Sequence, residues 1–476
     1  MQIVQELSNK LPKQLVLTGD EMTRPFECDG LNIFRQKPLA VVLPANIEQI
    51  KQVLVSCNKH KTPIVTRGAG TGLSGGAIPI KDSVVLGLSK LTQIKSINVQ
   101  EQYAVVEPGV RNIAISEAAA KHGLYYAPDP SSQIACTIGG NVAENAGGVH
   151  CLKYGLTVHN VISIKMLTID GEELTLHRDD DGLGLLALMN GSEGLLGIIT
   201  EVTVKLLPKQ ELAQVILAGF DNVKDCADAV AKIITAGIIP AGLEMMDSFA
   251  IKSAEDFAKA GYPKDAKALL LCELDGSADE VKIERDKVQK ILGNATSIQV
   301  SQDEQQRLLF WKGRKSAFPA AGRLSPDYYC MDGTIPKRNL AEVLEKIDVL
   351  SKHYGLRVAN VFHAGDGNLH PLILYDASNQ GELEKTEEFG TEILKVCVDV
   401  GGTITGEHGV GLEKLDAMCY QFPAEELEIL HQIKAVFDPQ SLLNPGKAVP
   451  TLHRCAELGG MHVHKGQLPH PELERF

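Results

Sequence analysis

Four residues able to bind a metal ion or transfer a proton stand in two glycine-rich segments of the C-terminal half. His363 and His370 are seven positions apart, and the adjacent pair Glu407 and His408 follows further along the chain. Imidazole and carboxylate together suit a divalent first-row metal ion. Three of the four groups would ligate, and the remaining imidazole could act as a general base near neutral pH. This pattern predicts a site that takes a proton from a small hydroxylated or carbonyl compound. The alternative is that the histidines only cap loops and bond to backbone.

Composition sets limits on the function. A chain of 476 residues predicts two or three domains. The formal charge of −13 argues against a nucleic-acid partner, because phosphate binding needs a basic surface. No apolar run is long enough for a membrane span, and the first fifteen residues have no apolar core, so we expect neither a membrane helix nor a signal peptide.

The ten cysteines are scattered and include no C-x-x-C pair. This pattern favours reduced thiols in a cytoplasmic protein over a disulfide framework. It also excludes a ferredoxin-type cluster motif in this chain, so an iron–sulfur centre would have to belong to another subunit.

The N-terminal half is organised around glycine. Apolar runs at 39–43, 63–67 and 83–88 predict short strands, and the apolar spacing in 47–59 predicts a helix. Residues 68–76, with five glycines, join the second strand to the third and contain a G-x-G-x-x-G match from Gly70. A nicotinamide-binding Rossmann unit is disfavoured, because there is no room for the helix that should follow and no acidic residue after the next strand. We expect the backbone N–H groups of this loop to surround a diphosphate instead. A flexible surface loop is the remaining alternative.

Further glycine-rich or proline-rich segments follow at 107–111, 126–132, 137–148 and 191–199. Glycine, which has no side chain, recurs in these segments, and this pattern indicates one large, extended ligand that lies along several loops. Small residues in 137–148 would let a flat ring lie close to the backbone.

These segments resemble the FAD-binding domain of the vanillyl-alcohol-oxidase-type flavoproteins, and the second half resembles their FAD-linked oxidase C-terminal domain. The resemblance to members that oxidise small 2-hydroxyacids covers essentially the whole chain, including 125–136, 149–155 and 451–476. It implies an α+β fold: a two-subdomain FAD-binding domain of the vanillyl-alcohol-oxidase (PCMH) type, an α+β cap domain with an antiparallel sheet, and a C-terminal segment that returns to the first domain. The expected boundaries are 1–207, 208–420 and 421–476.

The resemblance also implies an FAD site. The first glycine loop contains no histidine that could form a covalent link, so the FAD is expected to be non-covalent. The pyrophosphate would lie on residues 68–72 and the flavin ring near 139–148. The implied cofactor-binding residues are Arg67, Gly68, Ala69, Gly70, Thr71, Gly72, Pro130, Ser131, Gly139, Gly140, Asn141, Asn145, Gly148, Glu193, Gly194, Ile199 and Asn444.

The same resemblance assigns roles at the chemical site. It implies His363, His370 and Glu407 as ligands of zinc, iron or manganese, and His408 as the catalytic base. Arg314 would hold the substrate carboxylate, because a planar guanidinium suits that group. The other interpretation of Arg314 is a solvated helix face.

Six other positions bear on the same region, and they are Asp366, Asn368, Cys330, Leu372, Glu244 and Asp247. Asp366 and Asn368 are expected to orient the histidine loop. Cys330 and Leu372 stand where related D-2-hydroxyacid dehydrogenases have Lys and Asn, which favours a small monocarboxylate over a diacid. A strand at 242–247 carries Glu244 and Asp247, for which a structural role is preferred.

The implied function is FAD-dependent oxidation of a small 2-hydroxyacid, glycolate to glyoxylate and also D-lactate. The implied partners are a second FAD-domain subunit and an iron–sulfur subunit that passes electrons to quinone, which would bring the chain to the inner face of the cytoplasmic membrane. Residues 451–476 would form a docking tail. The alternative is a D-lactate or D-2-hydroxyglutarate dehydrogenase that acts alone. A non-enzymatic electron-transfer subunit would lack the His–Glu–His set, and a nicotinamide enzyme would need the missing acidic residue.

Overall fold

The chain folds into two units. The computed structural model describes residues 2–451, Cys455 and the backbone of Glu474 and Arg475. The first unit contains residues 1–148, 155–209 and 407–476, and the second contains 149–154 and 210–406. The chain leaves the first unit close to the boundary expected after 207. It returns at Glu407, earlier than the expected 421, and the short segment 149–154 belongs to the second unit.

One sheet of the first unit has four strands in the order β1-β3-β5-β4. Its strands are β1 (Val16–Leu17), β3 (Ala40–Val42), β4 (Ile64–Arg67) and β5 (Val84–Gly87). β5 pairs in parallel with both β3 and β4. Helix α3 (Ile47–His60), capped by the Asn46 side chain, packs on this sheet because its apolar positions recur at helical spacing and are buried. The remaining elements near it are α1 (Gln2–Lys10), α2 (Asp20–Thr23) and β2 (Phe34–Arg35), which pairs with β20 (Glu474–Arg475).

The second sheet of this unit is antiparallel, in the order β10-β9-β11-β7-β6. Its strands are β6 (Ile94–Asn98), β7 (Tyr103–Val106), β9 (Val161–Leu167), β10 (Glu173–His177) and β11 (Ile198–Lys205). A two-stranded pair joins β8 (Leu124–Tyr125) to β12 (Leu207–Pro208). The helices of this part are α4 (Asn112–Ala119), α5 (Ile138–Glu144), α7 (Thr157–Asn160), α8 (Leu185–Met189), α16 (Leu415–Gln421) and α17 (Ala424–Phe437).

The second unit is built on one seven-stranded antiparallel sheet in the order β16-β13-β15-β14-β18-β19-β17. The strands are β13 (Leu212–Phe220), β14 (Gly242–Asp247), β15 (Ala268–Gly276), β16 (Ser297–Val300), β17 (Asp327–Cys330), β18 (Arg357–His363) and β19 (Asn368–Tyr375). The helices are α6 (Cys151–Tyr154), α9 (Val223–Thr235), α10 (Ser248–Ala258), α11 (Ala278–Ile291), α12 (Glu304–Lys315), α13 (Ala317–Ala321), α14 (Leu340–Tyr354) and α15 (Glu382–Asp399). The predicted α+β class and antiparallel cap sheet are confirmed.

Segment 149–154 belongs to the second unit because its polar side chains are bonded there. Lys153 Nζ donates to the Asp275 backbone carbonyl at 2.7 Å, and the Tyr154 hydroxyl donates to the Asp275 carboxylate at 2.6 Å. His150 Nε2 lies 3.2 Å from the Glu273 carboxylate. The two acids of β15 therefore anchor a segment whose chain neighbours on both sides lie in the first unit.

The expectation that the cysteines are reduced thiols is wrong for one pair. Cys419 and Cys455 form a disulfide with their Cα atoms 5.4 Å apart, within the range that the bond requires. They are 36 residues apart in the chain, and only folding brings them together. The predicted docking tail lies mostly outside the described residues. No helix in the described part of the chain is long and apolar enough to cross a membrane.

Candidate functional site: glycine loops and a buried histidine–carboxylate–arginine set

The first glycine loop follows β4 directly, without a helix. Arg67 closes the loop at its base: Nη1 donates to the Cys28 carbonyl at 2.8 Å and to the Ala77 carbonyl at 3.3 Å. Burial lowers the pKa of Arg67. Gly70 has a φ of +71°, and a Cβ there would collide with the Arg67 guanidinium, so this position requires glycine. Arg67 therefore shapes the loop through backbone carbonyls. The other residues predicted to bind the pyrophosphate lie in the same loop, directly after β4, and are Gly68, Ala69, Thr71 and Gly72.

The second glycine segment lies against the first loop. A Cβ on Gly68 would stand 2.5 Å from Thr137 Oγ1 and 3.7 Å from Gly140 Cα. Gly139 packs on Pro108, where a Cβ would be 2.6 Å from the proline ring. Residue 139 is thus small for a packing reason that needs no ligand.

Asn141 and Asn145 have bonds of their own within this unit. Asn141 Oδ1 accepts from Asn112 Nδ2 at 3.1 Å. Asn145 ends α5 with a φ of +51°, and its Oδ1 accepts from the Val158 N–H at 3.0 Å. Both side chains hold the glycine segment in place.

The proline turn closes onto the end of that segment. The Gln133 N–H donates to the Pro130 carbonyl at 2.8 Å, and Ser131 is exposed. A Cβ on Gly148 would lie 2.6 Å from the backbone of Asp129. The turn and the segment 139–148 are therefore in contact, as a shared ligand site would require.

Three hydroxyl oxygens next to these loops are buried and have no hydrogen-bond partner among the residues that the structure describes. They are Thr66 Oγ1, Ser74 Oγ and Thr137 Oγ1. A buried hydroxyl is normally satisfied, since leaving it unpaired costs about 1–3 kcal/mol. The group of unpaired oxygens along the glycine loops fits a polar cofactor such as FAD.

The segment around Glu193 packs on the same helix and on the returning chain. The Glu193 N–H donates to the Ala143 carbonyl at 2.8 Å. Asn444 Nδ2 donates to the carbonyls of Glu193 at 2.7 Å and Gly76 at 3.0 Å. Gly194 continues this turn, and Ile199 lies in β11 with 9% of its surface exposed.

The Glu193 carboxylate has a contact that the sequence did not predict. Its two oxygens accept the backbone N–H groups of Val410 and Gly411, each at 2.7 Å. Lys414 Nζ donates to the Gly409 carbonyl at 2.9 Å. The turn that begins one residue after His408 is therefore held by a buried anion on one side and a buried cation on the other. Burial raises the pKa of Glu193.

Glu407 lies against the glycine segment of its own unit. A Cβ on Gly147 would collide with the Glu407 carboxylate, so Gly147 provides the space that this side chain fills. Residues 406–408 form bends rather than a β-strand, so the side chains of Glu407 and His408 do not follow the alternation of an extended strand.

In the second unit, the hairpin β18–β19 brings His363, Asn368 and His370 to one face. His363 is paired with Asn368 across the two strands, and His370 is two residues further along β19. Because side chains two apart in a strand share a face, the two imidazoles meet. Their ring centroids are 5.0 Å apart at an interplanar angle of 89°.

Glu244 in β14 joins His363 to Arg314. Its Oε1 lies 2.8 Å from His363 Nδ1, and its Oε2 lies 2.6 Å from Arg314 Nη2. Burial raises the pKa of the Glu244 carboxyl, but His363 and Arg314 together outweigh burial and set the pKa below its ordinary value. Arg314 is 3% exposed, which excludes the solvated helix face. Its Nε has no hydrogen-bond acceptor within the described residues.

Sequence reasoning missed one acid of this region, Asp332, which is fully buried. The Gly406 N–H donates to its backbone carbonyl at 2.8 Å and to its carboxylate at 3.1 Å, and the Thr405 hydroxyl donates to the carboxylate at 2.6 Å. A Cβ on Gly406 would be 2.6 Å from the Asn368 amide. Asp332 and Asn368 therefore fix the chain immediately before Glu407. Asp366 is exposed, and its Oδ1 accepts the Asn368 N–H at 3.2 Å.

The two positions that depart from the related dehydrogenases are neighbours. Cys330 in β17 pairs with Leu372 in β19, and both are buried. Cys330 Sγ lies 4.0 Å from His370 Nδ1. Neither side chain carries a charge that a second substrate carboxylate would need.

Comparison with known proteins agrees with this architecture. Residues 38–177 match the FAD binding domain family, and residues 209–448 match the family of FAD linked oxidases, C-terminal domain. The chain is 59% identical, over all of its length and 96% of the relative, to glycolate oxidase subunit GlcD of Escherichia coli (strain K12). It is 39% identical to glycolate oxidase subunit GlcD of Bacillus subtilis (strain 168), over 89% of this chain and 91% of the relative. A D-lactate dehydrogenase of Anaerostipes hadrus is 32% identical, over 94% and 97% of the two chains.

Solved structures with the same fold include 4-ethylphenol oxidase from Gulosibacter chungangensis, with a TM-score of 0.79 and coverage of 94% of this chain and 97% of that one. A p-cresol methylhydroxylase has a TM-score of 0.78, and the match covers 95% of this chain and 97% of that one. Both are 17% identical to this chain, so the likeness shows the fold alone. The chain belongs to the FAD-linked oxidase family that contains the glycolate oxidase GlcD subunits, and it is an FAD-dependent oxidoreductase.

Proposed function

We propose that this protein oxidises a small 2-hydroxyacid, with glycolate as the favoured substrate and D-lactate as a second one. The observation that carries the proposal is the buried His363–Glu244–Arg314 set, which links an imidazole suited to a metal ion with a guanidinium suited to a carboxylate. A 2-hydroxyacid has both groups that such a set would bind, a hydroxyl and a carboxylate. The relatives named for glycolate and for D-lactate support the choice of substrates.

FAD would be held by the loop 68–72 at its pyrophosphate and by the segment 139–148 at its ring. The unpaired hydroxyls of Thr66, Ser74 and Thr137 support this assignment. Bound FAD supplies the acceptor for the electrons and the hydrogen that leave the substrate α-carbon. Residues 68–76 contain no histidine, which supports non-covalent attachment.

A divalent ion (zinc, iron or manganese) would be held by His363, His370 and Glu407. The donor set fits such an ion, and His363 Nδ1 faces Glu244 while His370 Nδ1 faces the Met331 carbonyl at 3.4 Å. Nε2 is therefore the atom that each ring would offer. A bound ion supplies a Lewis acid that lowers the pKa of the substrate hydroxyl.

The chain's own residues would divide the remaining work. Arg314 would donate from Nε to the substrate carboxylate, because this atom has no hydrogen-bond acceptor in the described part of the chain, whereas Nη2 faces Glu244. His408 would accept the proton of the substrate hydroxyl. Cys330 and Leu372 leave no cation for a second carboxylate, which supports glycolate or lactate over 2-hydroxyglutarate.

The proposal includes partner subunits. The relative named a glycolate oxidase subunit supports assembly into a complex. An iron–sulfur centre of that complex would belong to another chain, because this sequence contains no C-x-x-C pair. We propose a second FAD-domain subunit, an iron–sulfur subunit and transfer of electrons to membrane quinone at the cytoplasmic face. A D-lactate or D-2-hydroxyglutarate dehydrogenase that needs no partners is the alternative.

The test is flavin reduction by defined substrates. The purified chain would be mixed without oxygen with glycolate, each lactate enantiomer and D-2-hydroxyglutarate, and the loss of flavin absorbance would be followed after metal content is measured. We expect rapid bleaching by glycolate, slower bleaching by D-lactate and little by 2-hydroxyglutarate. Faster bleaching by 2-hydroxyglutarate than by glycolate would refute the substrate assignment.

A further inference from the structure

We propose that Glu244 is a positioning residue that holds the metal ligand His363 and the substrate-binding Arg314 in one fixed arrangement. The inference rests on the proposed function, which gives those two residues their roles. One buried carboxylate would then determine both where the substrate hydroxyl binds and where its carboxylate binds.

The backbone places Glu244 opposite His363. β14 pairs with β18 so that Met245 is opposite Phe362 and Met246 is opposite Val361. The same antiparallel register sets the preceding residue, Glu244, opposite His363, which ends β18. Neighbouring positions of two paired strands bring their side chains into contact when both point to the same face.

The two carboxylate oxygens have different partners. Oε1 faces His363 Nδ1 at 2.8 Å, and Oε2 faces Arg314 Nη2 at 2.6 Å. Glu244 is 1% exposed and Arg314 is 3% exposed, so water does not compete for these contacts. A carboxylate on Nδ1 fixes the tautomer and the ring orientation of a ligating histidine.

Arg314 gains a defined orientation from the same carboxylate. It stands one residue before the end of α12, which runs from Glu304 to Lys315. Contact of Glu244 with Nη2 restricts the guanidinium, while its Nε has no hydrogen-bond acceptor among the described residues. A guanidinium that is already restricted loses less conformational entropy when it binds a carboxylate.

The adjacent strand offers a matched control. Glu273 in β15 is 2% exposed and has a similar set of partners, since it accepts from Arg307 Nη1 at 2.8 Å and from Trp311 Nε1 and lies near His150. None of these partners is assigned to the metal or to the substrate. A loss caused only by neutralising a buried acid should therefore appear in Glu273→Gln as well.

The experiment compares Glu244→Gln and Glu273→Gln in the FAD-loaded protein. Metal affinity would be measured by competition with a chelator, and KM and kcat would be measured with glycolate and an artificial acceptor. For Glu244→Gln we expect metal affinity to fall about 10- to 100-fold, the loss usual for removal of a histidine's outer partner, and KM to rise. For Glu273→Gln we expect both values to stay within about twofold of the wild type, a change that corresponds to less than about 0.5 kcal/mol.

Equal losses in the two variants, or unchanged metal affinity and KM in Glu244→Gln, would overturn the inference. A double variant tests the link to Arg314: if Glu244 acts through that residue, the KM increases of Glu244→Gln and Arg314→Lys will not multiply when combined. Multiplied increases would contradict it. If the wild type binds no divalent metal, the metal assignment in the proposed function fails, and the KM cycle decides the inference alone.

Discussion

Replacing Glu193 by glutamine should loosen the turn that follows His408. The carboxylate accepts the Val410 and Gly411 N–H groups at 2.7 Å each, whereas a glutamine has one acceptor oxygen and must turn its NH₂ toward the other donor. A hydrogen bond to a charged group contributes about 1.5–3 kcal/mol. Loss of one such bond should speed local opening about 10- to 150-fold. A kcat below the wild-type value with a smaller change in KM should follow, because the turn positions His408 and does not contact the substrate carboxylate.

Hydrogen exchange of the peptide that contains Val410 and Gly411 measures the opening, and flavin absorbance measures FAD content in the same samples. Glu144→Gln is the control: this acid also lies beside Gly409, but its Oε2 has no hydrogen-bond partner among the described residues. In Glu144→Gln, hydrogen exchange of the peptide that contains Val410 and Gly411 should match or fall below the wild-type rate. Unchanged exchange in Glu193→Gln would refute this role, and loss of FAD without faster exchange would show instead that Glu193 serves the cofactor.

Three further outcomes are expected. His408→Ala should lower kcat with glycolate about 10²- to 10⁴-fold while the flavin stays bound. His353→Ala, at an exposed position of α14, should leave kcat unchanged. Retained activity in His408→Ala would exclude His408 as the base. Arg314→Lys should raise KM for glycolate by about tenfold or more, since lysine loses the planar fork, and an unchanged KM would place the carboxylate elsewhere. Burial raises the pKa of Asp29 from 3.8 to about 6, so its ionisation costs the folded state up to about 3 kcal/mol at neutral pH and above. The free energy of unfolding, measured with urea, should therefore be higher for Asp29→Asn than for the wild type at alkaline pH. The difference in free energy should vanish as the pH falls below about 4. An equal difference at acid and alkaline pH would contradict this expectation.

Local sequence determined the elements of the FAD-binding half. Apolar spacing predicted the helix at 47–59 and the strand at 63–67, and the structure has Ile47–His60 and Ile64–Arg67. The lack of room for a helix after the first glycine loop excluded a Rossmann unit, and β4 is joined to β5 without one. These features depend on neighbouring residues, which the sequence shows directly.

The sequence also identified the residue types of the candidate site, but it did not identify what holds them. His363 and His370 share a face because a hairpin register pairs 363 with 368, which follows from two adjacent strands and a short turn. Glu244 is 119 positions from His363, and the sequence favours a structural role for it. The resemblance implies a cofactor-binding role for Glu193, and its contact with Val410 spans 217 positions of the chain.

The sequence by itself determined which segments are glycine loops, which are strands and helices, and which side chains could carry chemistry, because those properties are set within a few residues. The tertiary structure alone decided which acid faces which base, that Cys419 and Cys455 are bonded, and that residues 149–154 leave the unit of their chain neighbours. Buried charges must find opposite charges or hydrogen-bond donors wherever the fold brings them, and that pairing has no pattern along the chain.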